Sequence, residues 1–85
     1  MKYEDIEKTL QKQDAGEPLV QISFKNRNAI KGLIIKVSDY RELSKKNLWR
    51  IVTEKHIDDY KRLHDENLAK IFNGAEFTKL ELLKK

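Results

Sequence analysis

The chain has 85 residues, 39% of them hydrophobic and 38% charged, with 18 Lys and Arg against 14 Asp and Glu for a net charge of +4. That length supports a single domain over residues 1–85 with one modest core, and excludes a substrate cleft between two lobes. With no cysteine in the sequence, disulfides, thiolate nucleophiles and cysteine metal sites are excluded, and the small basic excess fits an anionic partner without demanding one.

Tyr3, Ile6 and Leu10 fall at helical spacing among good helix formers and predict an N-terminal helix over about 3–13. So thin an apolar stripe needs a sheet to lie on. Asp14-Ala-Gly-Glu-Pro18 ends it, with Gly16 as the stop and Pro18 barring further helix. The first residues are charged where a secretory leader would be apolar, and the longest apolar run is Leu33-Ile34-Ile35. The expectation is a cytoplasmic chain without a membrane span.

Val20, Ile22 and Phe24 alternate with Gln21, Ser23 and Lys25, the period of a strand with one buried face. Asn26-Arg27-Asn28 reads as a turn, because Asn tolerates left-handed backbone. Ala29 to Val37 resumes as a long apolar strand in which Gly32 marks a bend or a close backbone approach. Tyr40 to Asn47 is a polar connection, and Leu48 to Thr53 is a third strand rich in aromatic and β-branched residues.

Lys55 to Asn67 reads as a short helix or an ordered loop, with Ile57, Tyr60 and Leu63 at helical spacing. Leu68 to Phe72 is open between two readings. It could end that helix at Asn73-Gly74, or form a fourth strand joined by an Asn73-Gly74 hairpin to a fifth strand over 76–83. A tight hairpin would set Ile71 opposite Glu76, whereas a longer turn or bulge would pair Ile71 with Phe77.

Catalysis finds little support. Ser23, Ser38 and Ser44 lack a nucleophile-elbow context, and three glycines make no phosphate loop. His56 and His64 would lie about 12 Å apart along one helix, too far for a shared metal. Neither enzyme chemistry nor a cofactor is expected. Trp49, between Leu48 and Arg50, reads as a core residue or an interface anchor.

Phe24-Lys25-Asn26 followed by Ile30, Gly32 and Asp39 resembles the first motif of Sm and Sm-like proteins, and Ile71-Phe72-Asn73-Gly74 followed by Phe77 and Leu80 is similar to the second. The resemblance implies a mainly β fold with an N-terminal α-helix: a small, five-stranded, strongly bent SH3-like barrel over about 19–83, with a helical or ordered insertion before strand four. It also implies homo-oligomers through strands four and five, and RNA bound near the turns of both motifs. Asn73 stands where the family has Arg, and Asp39 falls one residue late.

Within that frame, Lys25, Arg27 and Lys31 could hold phosphates around the first turn, Tyr40 could stack a base, and Asn73 could offer a donor and an acceptor to a base edge. The same residues could instead be solvated strand charges, a rim aromatic and a turn asparagine. Two functions follow. One is a single-stranded RNA-binding Sm-like protein; the other is an SH3-like module that contacts a protein partner.

Overall fold

Leu19–Phe24 alternates half-buried and buried residues along its length and forms β1. The computed structural model describes residues 1–12 and 17–83. Its elements are α1 (Tyr3–Leu10), β1, β2 (Ile30–Ile34), α2 (Tyr40–Lys45), β3 (Leu48–Thr53), α3 (Ile57–Leu63), β4 (Lys70–Asn73) and β5 (Phe77–Leu82). The expected extension of the first helix to Gln13 and its stop at Gly16 lie outside the described residues; α1 itself ends at Leu10.

All five strands form one antiparallel sheet in the order β4-β3-β2-β1-β5. The sheet is open, since β4 and β5 occupy opposite edges. Only the 3-10 turn Gly74–Glu76 separates them in the chain. Five flat strands would put their edges about 19 Å apart, and a 3-10 turn advances only about 2 Å per residue, so the sheet must curl. Two local devices assist. Between β1 and β5 the register passes from Ser23↔Lys79 to Phe24↔Phe77, leaving Thr78 as a bulge. At Gly32 the backbones of β2 and β3 approach so closely that a Cβ would lie 2.6 Å from the Val52 carbonyl oxygen.

The expected Asn73-Gly74 hairpin is therefore corrected. Ile71 pairs with Arg50 on β3, and Phe77 with Phe24 on β1. Between the two readings for 68–72, the strand is found, beginning at Lys70 after a 3-10 turn over Glu66–Leu68. That turn is capped by Asp65, whose carboxylate accepts the Asn67 N–H at 2.9 Å.

Both faces of the sheet are covered. On one face Val20, Ile22, Phe24, Ile34, Trp49, Ile51, Phe77 and Leu80 pack with Ile6 and Leu10 of α1. On the other, Leu33, Ile35 and Val52 pack with Tyr60 of α3, flanked by Ile57 and Leu68. The charged segment before strand four is thus the lid of a second small core. Each large side chain buried this way contributes about 1.5–3 kcal/mol relative to exposure.

Two further segments differ from expectation. Tyr40 to Asn47, expected as a polar connection, contains the short helix α2 lying against β3. The apolar run expected as strand to Val37 is assigned to β2 only as far as Ile34, although the Ile35 N–H still donates to the Arg50 carbonyl at 3.0 Å.

Candidate functional site

Antiparallel pairing of β2, β3 and β4 gathers residues far apart in sequence around one open groove of about 870 Å³. From the β1–β2 turn and β2 come Arg27, Ile30 and Lys31; Thr53 ends β3 and Lys55 lies in the 3-10 turn Glu54–His56 that follows it, and Lys70, Ile71, Phe72 and Asn73 come from β4. The register sets this arrangement: Gly32 lies opposite Thr53, and Ile51 opposite Lys70. Arg27, Lys31, Lys55 and Lys70 are all exposed. Among the described residues the ion pairs are Arg50–Asp39, Arg62–Asp59 and Lys79–Glu81, so none of the four groove cations is neutralised by one. Glu54 and Glu76 also line the groove and leave a local excess of two positive charges.

Phe72 lines the groove, and Phe24, beside it, lines the adjoining smaller hollow. The Arg27 guanidinium carbon lies 5.2 Å from the Phe24 ring centroid and 5.8 Å from that of Phe72. Phe24 is fixed from behind by Phe77, edge to face at 5.3 Å. A cation held over ring faces is attracted by their quadrupoles and loses less freedom when it meets a ligand.

Of the residues predicted from sequence, the groove brings together Arg27, Lys31 and Asn73. Asn73 also serves its turn: its side-chain oxygen accepts the Ala75 N–H at 2.9 Å. Lys25 lies beside them, lining a smaller hollow with Phe24, Asn26, Arg27 and Glu76, its backbone N–H bound to the Glu76 carbonyl.

Tyr40 is apart from this groove. It lines a separate hollow with Tyr3, Glu7, Arg41, Ser44 and Lys45. Its hydroxyl donates to Glu7 Oε1 at 2.9 Å and its ring meets Trp49 edge-on. Burial, then the carboxylate of Glu7, pushes its phenol pKa well above the ordinary value.

Asp39 of the first motif is held by Arg50, with Nε at 3.1 Å from Oδ1 and Nη2 at 2.7 Å from Oδ2. This forked contact lowers the Asp39 pKa, chiefly through the hydrogen bond, and ties the head of α2 to β3. Trp49 stacks on Tyr3 at 6.2 Å and donates its indole N–H to Asn47 Oδ1 at 2.9 Å, a buried core role.

Lys55, Lys70 and the Phe72 ring were missed as site residues. Nothing local marks them: Lys55 follows a strand, Lys70 opens one, and only cross-strand register joins them to Lys31. Among the described residues no group of three or more His, Asp or Glu could hold a metal ion, and no helix is long and apolar enough to cross a membrane. Compared with known proteins, the chain matches no family model, no curated protein and no solved structure.

Proposed function

We propose that this chain is a single-stranded RNA-binding protein with an Sm-like, strongly bent small β-barrel, acting in the cytoplasm by binding and not by catalysis. The observation that carries this reading is the set of four cations without ion-pair partners among the described residues, Arg27, Lys31, Lys55 and Lys70, around one groove that also presents Phe72. Cations there would release counterions from a phosphate backbone, while ring and guanidinium faces would receive unpaired bases. The order of strands, with an N-terminal helix over one face and β4 and β5 at opposite edges, is in keeping with the Sm-like resemblance. A labelled single-stranded RNA of about ten nucleotides, titrated with the chain beside a duplex of the same sequence, tests the reading. Saturable binding of the single strand in preference to the duplex is expected; indifference to both would overturn it.

A second reading has its own observation. Ile71, on the edge strand β4, whose outer side pairs with no strand among the described residues, is 49% exposed, and open strand edges are templates for pairing with another chain. A protein partner, or a second copy joined through β4 and β5, would use that edge. Sedimentation equilibrium separates these cases by mass.

A further inference from the structure

Resting on the RNA-binding reading, we propose that Arg27 is the stacking platform of the groove, taking one unpaired nucleobase on the outward face of its guanidinium while Lys31 and Lys70 hold the flanking phosphates. Most exposed arginines are free to sweep through solvent. This one is laid over two rings, Phe24 and Phe72, whose centroids are 6.0 Å apart and whose planes are tilted by 41°. Its guanidinium carbon lies 5.2 and 5.8 Å from their centroids, and Arg27 remains exposed and unpaired to an acid among the described residues.

A guanidinium is planar, stays charged at any ordinary pH, and stacks on π systems from both sides. Bases splayed out of a single strand are taken by such planes as well as by aromatic rings. The layered order would be Phe24 and Phe72, then Arg27, then a base. Phe24 is only 9% exposed and is anchored in the core, so Arg27, though carried on the β1–β2 turn, rests against a ring held by the sheet. Every base has a π face, so this contact selects unpaired bases over duplex with little preference among the four.

The ligand class is therefore single-stranded nucleic acid with one base turned out at the groove. The test uses the full chain and a short single-stranded RNA carrying 2-aminopurine at its centre, beside the same oligonucleotide with an abasic central position. Stacking on Arg27 should change 2-aminopurine emission on binding, and the abasic strand should bind roughly five- to a hundredfold more weakly. The variant Arg27→Lys keeps the charge and loses the plane. It should retain the dependence of affinity on salt, lose the emission change, and bind the two strands alike. If the wild-type chain binds no RNA, the functional reading fails and takes this inference with it. If it binds both strands equally, or Arg27→Lys behaves as wild type, the platform alone is overturned. The comparison of strands on the wild-type chain needs no variant to fold.

Discussion

Asn47 and Gly74 close on each other: the Gly74 N–H donates to the Asn47 carbonyl at 2.8 Å, and the space beside the Gly74 Cα is filled by the Asn47 side-chain oxygen. Asn47 sits at φ 62°, a left-handed conformation that Asn tolerates better than most residues. From there its amide reaches the Met1 carbonyl and accepts the Trp49 indole N–H. The end of α2, the start of β3 and the turn between β4 and β5 are thus joined at one point.

A methyl group at position 74 would strike Asn47 Oδ1 and approach Ile6 Cδ1 at 2.7 Å. Gly74→Ala should destabilise the fold by about 1–3 kcal/mol, the usual cost of overpacking. For a domain of this size each kcal/mol corresponds to about 4–8 °C in Tm. A thermal melt followed by Trp49 fluorescence reads it, and an unchanged Tm would show that the contact yields freely.

Tyr60 fastens α3 to the sheet, its hydroxyl lying 3.1 Å from both carboxylate oxygens of Glu17. Burial first, and then Glu17, push its pKa up to about 12 from the ordinary 10. The folded state favours the neutral phenol, so this stabilisation is complete below pH 10 and is lost as pH rises through about 12. Tyr60→Phe should cost about 1–2 kcal/mol at neutral pH by loss of a hydrogen bond to a charged acceptor. It should also flatten the alkaline fall in stability. Denaturant melts at pH 7 and pH 11 measure both effects.

Asp39 gives the opposite limb. Its hydrogen bonds to Arg50 lower its pKa below 3.8, so its contribution is present above that value and is lost as pH falls through the lowered one. Asp39→Asn should reduce the acid sensitivity of the fold while leaving its alkaline limb as in the wild type. Parallel acid titrations of the two chains, followed by circular dichroism, would show coincident curves if the forked pair contributes nothing.

Tyr40 separates packing from binding. Tyr40→Phe removes the hydrogen bond to Glu7 and should lower stability by about 1 kcal/mol. Because Tyr40 is not among the groove residues, RNA affinity at fixed salt should be unchanged. A fall in affinity with intact folding would place a binding surface on the α1–α2 side.

Much of the sheet was legible in the sequence because the main core on one face imposes a two-residue period along β1. Val20, Ile22 and Phe24 of β1 and the run Leu48–Thr53 of β3 are found as strands where expected. The helix α2 was not legible. Asp39 stands at its N-cap without making a side-chain cap bond there, because its carboxylate is engaged by Arg50, and six residues carry too little apolar period. The turn after β4 misled for a different reason. Asn73-Gly74 is good hairpin chemistry, but the partners that decide the path, Arg50 for Ile71 and Phe24 for Phe77, lie more than twenty residues away. The groove shares that difficulty: Arg27 and Lys31 were visible beside a turn, whereas Lys55 and Lys70 join them only through strand pairing.

The central claim is that the cations of one groove bind a phosphate backbone, and the dependence of RNA affinity on salt measures it most directly. Three phosphate contacts on a single strand, from Lys31, Lys55 and Lys70, give a slope of about −2 in log affinity against log salt. Replacing Lys31 and Lys70 together by Glu should reduce that slope by one unit or more and weaken binding steeply at low salt, with the thermal melt showing a folded chain. A wild-type affinity that ignores salt, or a folded double variant that binds as the wild type does, would contradict the account.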